Sequence, residues 1–367
     1  MKDMKTLTHE LSDLYGICSR EDRVIDYMSE HFAPLGGEVS VDTLGNVTCA
    51  FSCGRENARR LLVFAHTDEI GFVVTKVEQN GFLRIQRMGG VNTSVLAGIR
   101  VTILGERGDV TGNLGVCSHH VMPPELKGVI PDVSKLYIDI GAASAEEVYE
   151  RGVDVGCFVT YEKNFTELSE HLVSGKALDD RAGCAILLHY AERIAALRQA
   201  GQLHWDVYVV ACVQEEFNVR GILPRVREIR PDASIGIDIC VAHDTPELEG
   251  KAPIRLGGGP AVTFVNFHGR GTLAGVLPDE KLQRALLDTC RREKIPFQRE
   301  VVIGLITENA FIGFENAGVA VANVSYPCRY SHSPIETVDL RDLEGMVSLL
   351  AGFTAGLTEQ TAFGKQK

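Results

Sequence analysis

The chain of 367 residues has ten cysteines but no Cys-x-x-Cys pair, which excludes the zinc-ribbon and thioredoxin patterns. The cysteines are scattered, and several lie in apolar runs such as VVACV and GIDIC. Buried, reduced thiols are expected there, not a disulfide framework. No apolar run approaches the roughly 20 residues that a membrane-spanning helix needs. Met1-Lys2-Asp3-Met4-Lys5 leads into charged sequence, without an apolar signal core. Positive charge is in deficit, with 37 Lys and Arg against 49 Asp and Glu, a net charge of −12. An acidic chain repels phosphate backbones and anionic lipid surfaces, so neither nucleic acid nor membrane is expected as a partner. With 45% hydrophobic and 23% charged residues, long disorder is excluded as well. The composition reads as a folded cytoplasmic protein of one large or two ordinary domains.

Apolar runs and helical patterns divide the chain into two styles. A helix is expected over Asp22 to Phe32, with Ser19 and Asp22 as a capping box, followed by strands NVTCAFS and LLVFA. From about Gly71 to Lys163 short Val- and Ile-rich segments alternate with glycine turns: GFVVTKV, GFLRIQRM, GIRVTILG, LYIDIG and CFVTYE. That spacing predicts a small all-β module. Alternation of helix and strand resumes with a long helix from Leu178 to Gly201. It continues through WDVYVVACV, SIGIDI, VTFVNF, a helix near Asp279 to Lys294, AGVAVANVS and a closing helix at Leu340 to Leu357. The fold class is therefore α/β, a mostly parallel sheet with helices on both faces. The expected division is a discontinuous domain of residues 1–70 and 165–367, interrupted by a β insert of residues 71–164.

In an open parallel sheet, ligands bind beyond the carboxyl ends of the strands. His66, Asp68 and Glu69 follow LLVFA, Glu215 and Glu216 follow VYVVACV, Asp238 follows SIGI, and His332 lies beyond AGVAVANVS. Asp179 and Asp180 directly precede a helix. Imidazoles and carboxylates without cysteine suit divalent ions such as zinc, cobalt or manganese. Five plausible ligands, His66, Asp179, Glu216, Asp238 and His332, exceed what one catalytic zinc needs. They fit two ions about 3.5–4 Å apart sharing a carboxylate and a water. Glu215 is then free to face a substrate as general base. Asp68 is placed to accept the other N–H of His66.

Each feature has a plainer reading. An isolated His-x-Asp is usually accidental, Glu-Glu after a strand is commonly solvated, and an Asp pair suits a helix N-terminus. Asp238 fits a turn, and His332 fits a hydrogen-bonded surface histidine. Five such features at five strand ends are poorly explained one at a time. His119 and His120 fall inside the β module and are read as structural.

The segments HTDEIGF at His66, SGKALDDRAG at Ser174, VQEEFNVRG at Val213, GIDICVAHDTPE at Gly236 and CRYSHSPIE at Cys328 carry a resemblance over nearly the whole chain. In this order they resemble the dinuclear-metal aminopeptidases of the tetrahedral (TET) and glutamyl-aminopeptidase type. Members of that group are also labelled deblocking aminopeptidase or endoglucanase. The resemblance implies a phosphorylase/hydrolase-like zinc peptidase fold with an inserted β-barrel that mediates dimerisation, and in several members a hollow dodecamer. It implies peptide substrates and two divalent ions per subunit, zinc or cobalt first and manganese second. Asp179 would bridge, with His66 and Asp238 on one ion and Glu216 and His332 on the other. Glu215 would match the base and Asp68 the residue orienting His66.

Three segments depart from the family pattern: Phe217-Asn218 where QEEVG is usual, Thr307-Glu308-Asn309-Ala310 where GTDA is usual, and NLGVCSHHVMP within the insert. Arg220, Arg255 and Arg329 are candidates for an acidic-residue preference, although surface pairing is the commoner role of arginine. Two other readings are a metal-dependent amidase or deacylase acting on a small substrate and a non-catalytic metal-binding scaffold.

Overall fold

A computed structural model describes residues 2–269 and 274–365. Helices α1 (Met4–Asp13) and α2 (Asp22–Phe32) lead into strands β1 (Glu38–Val41), β2 (Val47–Phe51) and β3 (Arg60–His66). Six strands then close a separate barrel: β4 (Gly71–Val77), β5 (Leu83–Met88), β6 (Arg100–Gly105), β7 (Gly108–Leu114), β8 (Tyr137–Asp139) and, after helix α3 (Ala145–Glu150), β9 (Phe158–Tyr161). The chain re-joins the sheet through β10 (Thr166–Glu167) and β11 (Leu172–Gly175). It continues as α4 (Leu178–Gln199), β12 (Asp206–Cys212), α5 (Leu223–Ile229), β13 (Ala233–Val241), β14 (Ala261–Phe267) and β15 (Gly275–Val276). The last elements are α6 (Glu280–Arg292), β16 (Gln298–Ile303), α7 (Asn309–Ile312), β17 (Ala320–Arg329), β18 (Glu336–Asp339) and α8 (Leu340–Ala355). No helix among the described residues is long and apolar enough to cross a membrane.

The sheet is mixed. Its centre, in the order β12-β3-β13-β17, is parallel, as the alternation of helix and strand requires. The flanks pair antiparallel: β2 with β12, β17 with β18, and β18 with β11. Short connections such as β1 to β2 and β17 to β18 leave no room for a crossover, so their strands must run back. Along β3 the side chains alternate. Leu61, Val63 and Ala65 pack on α4 and belong to the core that also holds Leu11 of α1, Met28 of α2, Leu286 of α6 and Leu350 of α8. Leu62 and Phe64 point the other way, onto α5 and α7 through Val226 and Ile312. The period of two thus gives one strand to two cores. The barrel has its own core, including Phe72, Leu83, Ile103, Ile138 and Val159, and all its pairings are antiparallel.

Two local expectations are corrected. The helix α2 has the expected bounds, but its N-cap is Glu21 without a side-chain cap bond. Ser19 stands in the left-handed region at φ 69°, so no capping box forms. Strand β7 was not anticipated, because Gly108, Asp109, Gly112 and Asn113 are poor strand formers. It forms through continuous pairing with β6 across a tight hairpin, Gly105 opposite Gly108.

Where the sheet buries a carboxylate without a cation, stability becomes pH-dependent. Glu300 on β16 is 3% exposed and, among the described residues, accepts hydrogen bonds from the hydroxyls of Thr263 (2.6 Å) and Ser325 (3.3 Å). Burial pushes its carboxyl up to about 7. The folded state therefore holds a proton that the unfolded chain has already lost, and stability falls as pH rises from the ordinary glutamate range through 7. Glu300→Gln is expected to remove this dependence and to raise stability at pH 8 by up to about 3 kcal/mol, with little change at pH 4.5. Urea midpoints at the two pH values check it.

Candidate functional site

The ends of the parallel strands bring the predicted residues together. His66 is the last residue of β3 and lies opposite Cys212, the last of β12, so Glu215 and Glu216 emerge in the following turn at the same level. Asp238 lies inside β13, not after it as expected. This strand outruns β3, whose last partner in it is Gly236, opposite Phe64. Two residues further along, Asp238 comes level with His66. His332 stands in the turn after β17 with φ 61°. Asp179 precedes the regular part of α4 with extended backbone angles (φ −80°, ψ 103°), and a cis peptide joins it to Asp180.

Asp179 touches both imidazoles. Its Oδ1 is 3.1 Å from His66 Nε2, and its Oδ2 is 3.5 Å from His332 Nε2. His332 Nε2 is also 3.2 Å from Glu216 Oε1. Donor atoms within 4.8 Å of one another form two trios that share Asp179: His66, Asp179 and Asp238, and Asp179, Glu216 and His332. Glu215 stands among them, within the same distance of His66 and Glu216. Nitrogen and oxygen donors in this proportion suit zinc, cobalt or manganese, so the residues present fit a pair of divalent ions. His119 and His120, in the loop between β7 and β8, are exposed and belong to no such group among the described residues.

A second set of residues holds the first. The carboxylate of Asp68 accepts the backbone N–H of Glu215 (2.8 Å) and of Glu216 (3.0 Å), and the Cys18 thiol donates to it at 2.8 Å. The nearer partner of His66 Nδ1 is the Asp68 carbonyl at 3.1 Å, with Asp68 Oδ1 at 3.6 Å. Asp180 belongs to neither donor trio. It accepts from the Tyr326 hydroxyl (2.6 Å) and the His66 backbone N–H (3.1 Å). Glu336 accepts the backbone N–H of Asp179 at 2.9 Å and of His332 at 2.7 Å. His332 Nδ1 lies 2.6 Å from the Gly90 carbonyl. A Cβ on Gly90 would come within 2.8 Å of that nitrogen, so only glycine permits the approach.

The electrostatics follow from burial. It opposes charge on both Glu215 and Asp238, whose carboxyls are raised well above the ordinary range, reinforced by neighbouring acids. Burial alone would lower the His66 imidazole, but Asp179 and Asp68 outweigh it and hold the group well above its usual value. For Asp179 the two imidazoles win over burial and pull the carboxyl down. Behind the site, Arg181 is fully buried and donates to the carbonyls of Thr67, Leu11, Leu14 and Gly16 at 2.6–3.1 Å. Lys176 meets Glu69 at 2.8 Å, and burial pushes its amine down to about 8.

Several of these groups carry no signal in the sequence. Glu336 and Arg181 sit inside motifs quoted for other residues. Glu308, in the Thr307–Ala310 segment, lies within 4.8 Å of Glu215 and Asp238 and accepts from the Cys212 thiol at 3.1 Å. No spacing rule marks it. A cavity of about 720 Å³ opens over the donor cluster, with Gly90 and Asn92 of the barrel region on one side and residues 302–306 on another. Because Glu336 fixes two donors through their backbones, Glu336→Ala is expected to weaken divalent-ion affinity about 10–100-fold while the fold persists. Titration with zinc or manganese, alongside circular dichroism, checks it.

A family model described as M42 glutamyl aminopeptidase matches residues 45–349. A relative from Escherichia coli (strain K12), provisionally named aminopeptidase SgcX, is 43% identical over 342 residues, 93% of this chain and 90% of that one. The structure of an aminopeptidase from the archaeon Desulfurococcus kamchatkensis superimposes with a TM-score of 0.90 at 32% identity, covering 97% of this chain and 96% of the other. The TET1 peptidase of Pyrococcus horikoshii, which can assemble into a tetrahedron or a large octahedral shell, gives 0.84 at 27% identity, over 97% of this chain and 100% of that one. With the barrel, the sheet and the ordered motifs in agreement, the chain belongs to the M42 glutamyl aminopeptidase family.

Proposed function

We propose that the chain is a dinuclear metal-dependent aminopeptidase that removes N-terminal residues from peptides. The observation that carries this reading is the contact of one carboxylate, Asp179, with both imidazoles, so that two donor trios share it. His66 and Asp238 would complete one ion's ligands, Glu216 and His332 the other's. When bound, the ions would supply an acidified water and polarise the scissile carbonyl.

The protein's own part is positioning and proton transfer. Glu215 is adjacent to the ligand Glu216 yet belongs to neither bridged trio, and its burial makes the carboxylate a stronger proton acceptor. It takes a proton from the attacking water as the carbon–oxygen bond forms. It then gives that proton to the leaving amine as the carbon–nitrogen bond breaks. Asp68 is a positioning residue twice over, holding the backbone of Glu215 and Glu216 and standing beside Nδ1 of His66.

Residues 71–164 are the proposed assembly unit. The shells formed by the Pyrococcus horikoshii relative support a homo-oligomer built from dimers, with a dodecamer as one form. Cytoplasmic residence accords with the acidic composition.

Glu215→Gln keeps size and hydrogen bonding but removes the base. Turnover of aminoacyl p-nitroanilides is expected to fall about 10²–10⁴-fold with metal content near that of wild type. Activity equal to wild type would rule Glu215 out. Chelation is expected to abolish wild-type turnover, and added zinc, cobalt or manganese to restore it.

A further inference from the structure

The cavity above the donor cluster has two unlike halves. The imidazoles and carboxylates form its floor. One wall is largely aliphatic, built by Ile239 and Val241 at the end of β13 and by Val302, Ile303, Leu305 and Ile306 at and after the end of β16, with His268 after β14 as its polar member. Ile303 is 74% exposed, so this wall presents apolar surface to solvent at the rim. Among the described residues no lysine or arginine lines the cavity. The arginines that the sequence suggests as anion receptors are placed elsewhere. Arg329 gives both Nε and Nη2 to Asp244 at 2.8 Å. Arg220 bonds Gln214 and lies over the Phe217 ring at 4.9 Å. Arg255 does not line the cavity.

We propose that this aliphatic wall receives the side chain of the substrate's first residue and makes the enzyme selective for large aliphatic N-termini, leucine, isoleucine and methionine, over glutamate and lysine. The inference rests on the aminopeptidase reading above and adds the substrate class. A glutamyl side chain laid along this wall would meet His268 but, among the described residues, no lysine or arginine, so little there offsets the cost of desolvating its carboxylate. A lysyl ammonium would have to lie against Val302 and Ile306 or turn back to solvent. A leucyl side chain exchanges water for the apolar wall, the favourable transfer. Ligand pockets generally combine such a wall with a few convergent polar groups. The negative floor is matched instead to the α-ammonium that every substrate of an aminopeptidase carries.

The test is a panel of leucyl, isoleucyl, methionyl, alanyl, glutamyl and lysyl p-nitroanilides with the metal-loaded enzyme, together with competition by free L-leucine and L-glutamate. Leucyl kcat/KM is expected to exceed alanyl by about tenfold or more, since one methylene in an apolar pocket is worth about 10–200-fold. It is expected to exceed glutamyl and lysyl by a wider margin, and L-leucine should compete better than L-glutamate. Val302→Lys should lower leucyl turnover and narrow the leucyl–glutamyl gap at least tenfold, chiefly through KM. Ile303→Lys, exposed and therefore tolerant of charge, should do the same in smaller measure. Glutamyl or lysyl turnover equal to leucyl in the wild type overturns the side-chain assignment and leaves the peptidase reading standing. Absence of turnover on every substrate with metal bound overturns both.

Discussion

Buried negative charge at the ends of the central strands is the constraint on which the rest of the molecule depends. Asp68, Asp179, Asp180, Glu215, Asp238, Glu308 and Glu336 are all buried, and each ion taken from water costs several kcal/mol unless it is paired. The fold answers in graded ways. Asp179 has two imidazoles, Asp68 and Glu336 have backbone N–H donors, and Asp180 has the Tyr326 hydroxyl. Glu215 belongs to no hydrogen bond of this kind among the described residues and Asp238 has only the Ile239 N–H at 2.6 Å, and burial, as at Asp180, raises both carboxyls well above the ordinary range. These two face the cavity, where a cation or a reacting proton can reach them. The unsatisfied charge is thus located where chemistry can use it.

The same logic appears with the opposite sign behind α4. Arg181 and Lys176 are buried cations, and the last turn of α1 with the loop that follows it, from Leu11 to Gly16, turns backbone carbonyls toward them. Bringing the two together lets Arg181 staple that loop to Thr67, next to His66, while Lys176 and Glu69 neutralise one another. A buried pair of this kind adds little net stability over apolar residues, but losing one partner strands a charge. Its contribution is geometric: it fixes the start of α4, and therefore Asp179, relative to the end of β3.

The readable part of the sequence was the part governed by local rules. VYVVACV and SIGIDI declare buried strands by their apolar runs, and the helix through Leu188 ends near Gly201, which takes the left-handed φ of 68°. His66, Glu215, Glu216 and Asp238 were legible because they follow or interrupt such runs, and His332 because chain order placed it after one. What could not be read depends on residues far apart meeting. Glu336 acts through backbones 4 and 157 positions away, and nothing in SPIE advertises that. Glu308 gains its setting only when α7 packs under β13. The polar strand β7 and the antiparallel flanks were hidden for the same reason, since pairing partners decide them and propensity does not.

The departures from the family pattern fall into place on these terms. The turn carrying Glu215 and Glu216 must reverse sharply to present both to the centre, and Gln214, Asn218 and Val219 all stand in the left-handed region at φ 59°, 75° and 50°. Asparagine is among the few non-glycine residues that tolerate it well, so Asn218 can occupy the position where glycine is usual, and the Val219 N–H still closes the turn on the Glu215 carbonyl at 2.7 Å. Glu215 and Glu216 keep their places because the requirement falls on the backbone. The Thr307–Ala310 change has a different consequence. Asn309 is locked by Ser234, Ala322 and Asn323, and that lock holds Glu308 beneath Glu215 and Asp238. GTDA and this segment each carry one acid, so the change moves the carboxylate one position earlier, onto Glu308, and keeps it within 4.8 Å of Glu215 and Asp238.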